Sequence, residues 1–383
     1  MLIKKEYHIE LNDNQKLILS KLKENGQGYI IGGFIRDTLL GFKPKDCDFV
    51  TDLSLKEVCS IFKDYSVRVI GQHFSIVQIT INNEKYEIAR MRIDKKCDYK
   101  DRTKVDIGFT YDLEEDLQRR DFTINAIAYD GTCLLGQEQS FIDIQNKELR
   151  FVGNPHERIL EDKLRVLRAI RFISTKQLYI NEDIYRILKS CDYYNYISPE
   201  RIRDEYIKIF QGNIQNKYIC DFLNIYHIEK VIKYEDWRLR VAVVFYFKYY
   251  NLSKIKDILY SLKLSNKEIK EIICLYKSIY LINRNFDKRT ILRNLINNKV
   301  EYLYPLLFKD YEEIRHKYPF TFKELSYTIK DLLDFGIPQN SLSVYQNILI
   351  DKCLFNKDFK LKDLKDCCNF SLLLSYFRDE VFE

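Results

Sequence analysis

The chain contains 383 residues, of which 46% are hydrophobic and 31% are charged. This length is enough for two or three domains, and the composition is that of a globular protein, which excludes wholesale disorder. No stretch approaches the roughly 18 apolar residues of a membrane span, and the N-terminus lacks the apolar region of a signal peptide. The ten cysteines include no Cys-x-x-Cys pair, which favours reduced thiols over zinc ligands or disulfides. We therefore expect a cytoplasmic protein without a membrane partner.

The charges and glycines are unevenly distributed. Residues 1–150 carry 23 basic and 25 acidic side chains, whereas the rest of the chain has a net charge of +8. This division favours metal binding by residues 1–150 and polyanion binding by the rest of the chain. Lysine-rich, solvated helix faces would also explain much of the net charge of +8. Ten of the twelve glycines lie between Gly26 and Gly153. Turn-rich structure is therefore expected in the first part and long helices after about residue 155.

Strand-like apolar runs occupy the first part of the chain. They cover residues 29–31, 46–50, 66–70, 75–81 and 86–91. Asn82 and Asn83 predict a hairpin turn between the last two runs. Later, apolar residues recur at helical spacing, and Ser198 before Pro199 predicts a helix start. The chain is divided into an α/β head over 1–150, a helical segment over 151–215 and a second helical region over 216–383.

A glycine pair follows the first of these runs. Tyr29–Ile31 lead into Gly32 and Gly33 and then into a helix expected to end near Leu40. Glycines let a phosphate approach the backbone, and a helix N-terminus supplies N–H donors and a positive dipole. Arg36, one turn into this helix, is placed to hold the same phosphates. Taken alone, such a pair is more often only a turn.

Asp46 and Asp48 lie two apart in the next predicted strand. Side chains with this spacing project from the same face, and two like charges that close are costly unless a cation neutralises them. A Mg²⁺ site with oxygen ligands explains the pair, whereas two exposed acids at a strand end need no metal. Glu87, on a neighbouring predicted strand, is the candidate third carboxylate of a two-metal site.

Two later segments place arginines beside acids. Arg119 and Arg120 precede an apolar, helix-compatible run and suit a triphosphate or ribose, although a surface basic pair has the same pattern. Asp162 and Arg165 are predicted to lie on one helix face. The Asp162 carboxylate would accept a hydrogen bond from the amino group of cytosine or adenine, and the Arg165 guanidinium would donate one to the neighbouring ring nitrogen. Guanine and uracil present the reverse order of donor and acceptor, so such a pair would select against them. An intrahelical ion pair is the simpler interpretation.

Together these segments resemble the signature of class II CCA-adding tRNA nucleotidyltransferases, whose superfamily includes bacterial poly(A) polymerases. The matching motifs are Gly32-Gly33-x-x-Arg36-Asp37, Asp46-x-Asp48, Arg119-Arg120-Asp121-Phe122-Thr123-Ile124-Asn125-Ala126 and Glu161-Asp162-x-x-Arg165. The resemblance covers about residues 25–210. It implies an α/β nucleotidyltransferase head with a mixed sheet and helices, followed by an all-α neck, body and tail.

The resemblance also implies roles for individual residues. Asp46 and Asp48 would hold Mg²⁺, with Glu87 as the candidate third catalytic carboxylate. Nucleotide binding would involve Gly33, Arg36 and Arg120 at the triphosphate and sugar, Asp162 and Arg165 at the base, and Arg168 and Arg171 in support. The reaction would be attack of the tRNA 3′-hydroxyl on the α-phosphate of CTP or ATP, with pyrophosphate released. The neck would recognise the base, and the body and tail would bind tRNA; DNA is not expected as a partner.

Several alternatives and departures accompany the resemblance. A poly(A) polymerase would carry a basic pair where Gln72 and His73 stand, and an enzyme that adds only C would have a shorter loop than residues 92–106. The length of this loop does not distinguish addition of all three nucleotides, which we expect, from addition of A alone, which stays an alternative. A catalytically silent RNA-binding protein would not need the intact acidic pair. Phe141–Gln145 replace a glycine-rich stretch of the family, and Lys163 replaces a small residue or proline.

Overall fold

The chain forms two compact units, Met1–Phe222 and Leu223–Glu383. The computed structural model describes residues 1–71, 75–94, 107–249, 251–356 and 358–366. The predicted loop over residues 92–106 lies mainly outside these ranges, and so do Gln72 and His73. The first unit joins the predicted head to the helices that follow it; the predicted head–neck boundary itself stays a prediction.

A mixed sheet of eight strands forms the centre of the first unit. The strands described in the chain are β1 (Ile3–Glu6), β2 (Gly28–Ile31), β3 (Asp48–Thr51), β4 (Ser66–Gly71), β5 (Ile76–Ile81), β6 (Glu84–Arg90), β7 (Arg92–Asp94), β8 (Ile107–Phe109), β9 (Ile127–Tyr129), β10 (Cys133–Gly136), β11 (Glu148–Leu149) and β12 (Tyr179–Ile180). The large sheet has the order β1-β10-β9-β2-β3-β6-β5-β4, while β7 pairs with β8 and β11 with β12. Within the large sheet only β3 and β6 run parallel.

The outer part of this sheet has one closed and one open face. Along β5, Val77, Ile79 and Ile81 are buried, whereas the intervening residues are half-buried. Successive residues of a strand point to opposite sides of the sheet, so one face of β5 is buried and the other face is more exposed. Asn82 and Asn83 join β5 to β6 with φ values of 50° and 65°. These values fit a tight hairpin turn, and the predicted hairpin is confirmed.

Five of the first unit's described helices begin at a side-chain cap. The helices of this unit are α1 (Asp13–Asn25), α2 (Gly33–Leu39), α3 (Leu55–Ile61), α4 (Leu113–Gln118), α5 (Glu138–Asn146), α6 (Pro155–Glu161), α7 (Leu164–Lys176), α8 (Glu182–Ser190) and α9 (Pro199–Gln211), with α10 (Lys217–Leu223) ending at the unit boundary. Those with the side-chain cap are α1, α3, α4, α6 and α8. Asn12 and Ser54 form capping boxes with Gln15 and Glu57. The predicted start at Pro199 is confirmed, and the fixed φ of proline suits the first turn.

The second unit is helical throughout its described residues. It contains α11 (Ile228–Val231), α12 (Trp237–Lys248), α13 (Leu252–Ser261), α14 (Asn266–Asn283), α15 (Lys288–Asn297), α16 (Tyr311–Lys317), α17 (Ile329–Asp334) and α18 (Leu342–Phe355), with short 3-10 turns between them. α14 packs against α12, α13 and α15. Its buried Glu271 accepts a 2.6 Å bond from Nη1 of Arg238, which satisfies a charge that would otherwise be costly to bury. No described helix has both the length and the apolar character needed to cross a membrane.

The turn between β2 and α2 requires glycine at its first position. Gly32 joins β2 to α2 with φ 69° and ψ −125°, a combination that is strained for residues with a Cβ, whereas Gly33 is already helical. We predict that Gly32→Ala lowers the free energy of unfolding by about 1–3 kcal/mol. Gly33→Ala is the matched control, since its Cβ would be 3.6 Å from the nearest atom, an ordinary contact. Urea unfolding of both variants measures the difference, and an equal loss in the two would contradict the strain argument.

Candidate active site

Acidic side chains converge at the pairing of β3 with β6. Asp48 is the first residue of β3, and the parallel register places Glu87 of β6 directly opposite it. Asp46 is exposed, Cys47 is buried and Asp48 is half-buried, so the expected alternation is present around β3. The predicted third carboxylate therefore lies in the position next to Asp48, with its side chain exposed.

The environment of Asp48 disfavours its negative charge. Burial raises the pKa of Asp48 to about 6, and the nearby charges of Glu87 and Asp46 act in the same direction. Arg120 opposes this effect. A bound cation would relieve the same repulsion, because an opposite charge favours the ionised carboxyl.

The donor set fits a divalent metal ion that also binds substrate oxygens. Within the described residues, no three acidic, histidine or cysteine side chains are grouped closely enough to enclose a metal. Mg²⁺ is usually held by one or two carboxylates together with substrate phosphates and water, and it does not need a complete protein cage. Asp48 with Asp46, beside a place for phosphates, meets that requirement.

A place for phosphates lies next to these carboxylates. β2 pairs with β3 so that Ile31 is opposite Asp48, and the chain then turns at Gly32. A Cβ added to Gly32 would be 3.6 Å from Nη1 of Arg120, so the guanidinium lies over this turn. The Nε atom of Arg120 is buried and has no hydrogen-bond partner among the described residues. The turn and Arg120 together offer space and unused donors for an anion.

Asp116, which the sequence analysis did not identify, holds both arginines of the pair. Its carboxylate lies 2.9 Å from Nη2 of Arg120 and 2.6 Å from Nη2 of Arg119. It also accepts a 3.1 Å bond from the backbone N–H of Arg92. Burial alone would raise the pKa of Asp116, but the two guanidinium groups hold it below its usual value. Asp116 lies in α4, three and four residues before Arg119 and Arg120, and this helical spacing is the local signal that could have indicated both contacts.

Arg36 is buried beneath the glycine turn and pairs with protein groups. Its Nε donates to Asp37 at 2.8 Å and its Nη1 donates to the side chain of Asn125 at 2.8 Å. Asp37 also pairs with Lys176 at 2.9 Å, at the end of α7. Arg36 therefore connects the glycine turn to two distant segments, and in this structure its direct partners are side chains of the protein.

Asp121 connects the arginine pair to α7. Its carboxylate accepts bonds from Asn125 at 2.9 Å and from Nε of Arg168 at 2.8 Å. Burial opposes its ionisation, but Arg168, Asn125 and the N–H of Phe122 hold the pKa of Asp121 at about 2. The residues after Asp121 form a 3-10 turn over Thr123–Asn125 followed by β9, and the expectation of a helix-compatible run is wrong here. The turn presents Asn125 to both Asp121 and Arg36.

The predicted base-reading pair does not share a helix face. Asp162 ends α6 with φ −147° and ψ 100°, and α7 begins only at Leu164. The expectation of one continuous helix surface is therefore wrong, because the Asp162 carboxylate accepts the Leu164 N–H at 2.9 Å and caps the new helix. Arg165 pairs with Glu161 at 2.6 Å, while Asp162 lies 3.4 Å from Nη2 of Arg201.

Three of the predicted nucleotide-binding arginines surround one aromatic ring. The guanidinium carbons of Arg36, Arg168 and Arg171 are 4.7, 5.6 and 4.2 Å from the ring centre of Phe172. Arg171 pairs with the buried Glu205 of α9 at 2.6 Å. Burial lowers the pKa of Arg171, and the neighbouring Arg168 and Arg36 add to this effect. Arg36, Arg168 and Arg171 therefore lie close together around Phe172, and each of them also pairs with another side chain of the protein.

The segment that replaces the glycine-rich stretch forms a helix. Residues 141–145 belong to α5, where the buried Asp143 accepts a 2.6 Å bond from the hydroxyl of Thr123. Asp143 also accepts from Nε of Arg150 at 3.2 Å. The helix thereby supports the 3-10 turn that carries Asn125.

Loss of the Asp121 carboxylate is expected to weaken the first unit in a pH-dependent way. The folded-state pKa of about 2 lies below the unfolded value of 3.8, so Asp121 contributes stability above pH 4 that is lost as the pH falls through 2. We predict that Asp121→Asn lowers the free energy of unfolding by about 3 kcal/mol at pH 7, since Arg168 loses its charged partner. Denaturation at pH 7 and pH 2 measures this. A deficit that is the same at both pH values would contradict the role of the charge.

Comparison with known proteins shows the family of this chain. Residues 28–149 match the model of the poly A polymerase head domain. A CCA-adding enzyme of Staphylococcus epidermidis is 31% identical over 325 residues, which cover 78% of this chain and 77% of that enzyme. The crystal structure of the Bacillus stearothermophilus CCA-adding enzyme in complex with CTP has a TM-score of 0.66 at 22% identity and covers 89% of this chain and 94% of its own. The Thermotoga maritima CCA-adding enzyme complexed with tRNA has a TM-score of 0.64 at 19% identity, covering 99% and 100%. These structures share the fold, and the sequence relationship shows that the chain belongs to the CCA-adding enzyme family of nucleotidyltransferases.

Proposed function

We propose that this protein adds C and A nucleotides to the 3′ end of tRNA, using CTP and ATP and releasing pyrophosphate. The observation that carries the proposal is the pair Asp48 and Glu87 on adjacent strands, next to the turn at Gly32 and the unused donor of Arg120. Family membership supplies the choice of substrates. The cytoplasmic location expected from the sequence stays a prediction.

The two sides of the Asp48–Glu87 pair bind different parts of the reacting molecules. Arg120 and the Gly32 turn bind the triphosphate, and Asp116 keeps the guanidinium in place. Glu87, on the other side of Asp48, faces the incoming 3′-hydroxyl and accepts or orients its proton. The attacking and leaving oxygens are in line at the α-phosphorus in phosphoryl-type transfer, so the two tasks require opposite sides.

Mg²⁺ is the metal that we assign to Asp46 and Asp48. Held there, it would lower the pKa of the attacking hydroxyl and neutralise charge on the leaving pyrophosphate. The oxygen-only donors favour Mg²⁺ over metals that prefer nitrogen or sulfur ligands. Cys47 lies between the two acids but is buried, and burial raises the pKa of its thiol, which keeps it neutral.

Base selection is assigned to Asp162 and Arg165. Asp162 occupies the break between α6 and α7, and Arg165 reaches back to the carbonyl of Arg158 at 2.8 Å and to Glu161 at 2.6 Å. An extended residue at a helix break presents its carboxylate differently from a residue on a helix face. The acceptor of Asp162 and the donors of Arg165 match the amino group and ring nitrogen of cytosine and adenine. Arg168 and Arg171 support this region through Asp121 and Glu205.

The assay that tests this function uses tRNA lacking its last three nucleotides. The tRNA is incubated with Mg²⁺ and CTP alone, ATP alone or both. We expect two added nucleotides with CTP and three with both. Repeated incorporation from ATP alone would indicate a poly(A) polymerase, addition only to tRNA ending in CC would indicate an A-adding enzyme, and no incorporation would leave an RNA-binding protein.

Asp48→Asn should separate catalysis from stability. We predict that this variant loses nucleotide addition by orders of magnitude while the metal-free protein becomes more stable at pH 8 by about 1–2 kcal/mol. The raised pKa of Asp48 means that its charged form destabilises the folded state as the pH rises from 4 through about 6, and asparagine removes that charge.

Thermal unfolding with and without Mg²⁺ provides the control for this variant. The wild type should be stabilised by added Mg²⁺ and Asp48→Asn should not. Near-normal addition by the variant, or equal stabilisation of both proteins by Mg²⁺, would contradict the metal assignment.

Asp162→Ala should lose selectivity as well as rate. Without the carboxylate, Arg165 still donates to any acceptor, including the carbonyl oxygens of uracil and guanine. A hydrogen bond to a charged group contributes roughly 1.5–3 kcal/mol, so we predict that discrimination against UTP and GTP falls by one to two orders of magnitude. Values of kcat/KM for all four nucleotides measure it. Unchanged selectivity together with a lower Tm would mean that Asp162 only caps α7.

A further inference from the structure

A row of polar side chains continues from the carboxylates to the edge of the sheet. The register pairs Asp48 with Glu87, Glu87 with Gln78 of β5, and Gln78 with Arg68 of β4. Residues paired across neighbouring strands point to the same face, and neighbouring strands are about 4.8 Å apart. The row therefore extends about 14 Å from Asp48 to Arg68 on one face of the sheet.

This face of β4, β5 and β6 is open. Arg68 and Glu87 are exposed and Gln78 is half-buried, whereas Val77 and Ile79 on the opposite face are buried. Within the described residues, the guanidinium of Arg68 and the amide of Gln78 have no ion-pair or hydrogen-bond partner. Unpaired donors on an open sheet face are available to a ligand.

The in-line geometry of nucleotidyl transfer at Asp48 determines which ligand approaches from the side of Glu87, Gln78 and Arg68. The Gly32 turn and Arg120 lie on the β2 side of Asp48, and Glu87, Gln78 and Arg68 lie on its other side. Because the attacking and leaving oxygens are in line, the 3′-hydroxyl must arrive from the side opposite the triphosphate. The strand that carries this hydroxyl then crosses the open face of β6, β5 and β4.

We propose that Gln78 and Arg68 bind the sugar-phosphate backbone of the last nucleotides of the acceptor RNA strand. This inference rests on the proposed function and names a primer-binding surface for the same site. Arg68 provides a positive charge for a phosphate, and the Gln78 amide provides a donor and an acceptor for phosphate or ribose hydroxyl. Neither contact reads a base, which suits a site where the terminal base changes after each addition.

The proposal predicts an effect on RNA and none on nucleotide. Arg68→Ala should raise KM for tRNA lacking CCA about tenfold, the loss of one charge-assisted hydrogen bond, and leave KM for CTP unchanged. The slope of log Kd for tRNA against log salt concentration should decrease in magnitude by about one, since one phosphate contact is lost. Gln78→Ala should raise the same KM without changing the salt slope, because it carries no charge.

Lys63→Ala is the matched control. Lys63 is an exposed cation of the same head that follows α3, and α3 packs against β5. The variant removes one positive charge from a residue that is not a member of the row, and we expect it to leave KM for tRNA unchanged.

The outcomes separate this inference from the function on which it rests. If wild-type protein adds no nucleotide, the proposed function fails. If wild type is active but Arg68→Ala and Gln78→Ala bind and extend tRNA like Lys63→Ala, the primer surface is wrong. Equal increases in KM for CTP and for tRNA would also overturn it, since that result would indicate a general disturbance of the head.

Discussion

The head of this protein is organised around two like charges that its sheet holds side by side. The parallel pairing of β3 with β6 places Asp48 opposite Glu87, and burial together with this repulsion raises the pKa of Asp48 to about 6. Such a pair destabilises a fold unless a cation joins it. The Gly32 turn and Arg120 lie on the β2 side of this pair, and exposed or half-buried polar side chains of β6, β5 and β4 lie on its other side.

A second set of contacts holds the nucleotide side together. Asn125 lies between Arg36 and Asp121, and Asp121 pairs with Arg168, so one chain of hydrogen bonds joins α2, the 3-10 turn and α7. Buried charges of this kind are tolerated only when every member is paired. The network therefore sets the position of the helix that begins just after Asp162 relative to the glycine turn. The residues proposed to bind the triphosphate and those proposed to select the base are thereby joined by one hydrogen-bond network.

Local patterns were sufficient to predict much of the fold and the identity of the acidic residues. The strands, the Asn82-Asn83 turn and the alternation around Asp48 depend on neighbours in sequence. The contacts of Arg36 did not follow from such patterns, because its partner Asn125 is 89 residues away. Glu205 went unnoticed for the same reason, because its partner Arg171 lies 34 residues away. Asp116 differs, since its partners Arg119 and Arg120 follow at i,i+3 and i,i+4 spacing, which is a local pattern in the sequence. The break at Asp162 depends on one side chain capping the next helix, which helical periodicity through this region conceals.

A crystal structure of the protein with CTP and Mn²⁺, whose anomalous signal locates the metal, would show whether Asp46 and Asp48 hold the metal beside the triphosphate. The expected result is a metal about 2.1 Å from carboxylate oxygens of Asp48 and Asp46, with the triphosphate against Gly32 and Arg120 and the open face of β5 and β6 left clear. A triphosphate lying across Glu87 and Gln78, or a metal bound away from Asp48, would contradict it.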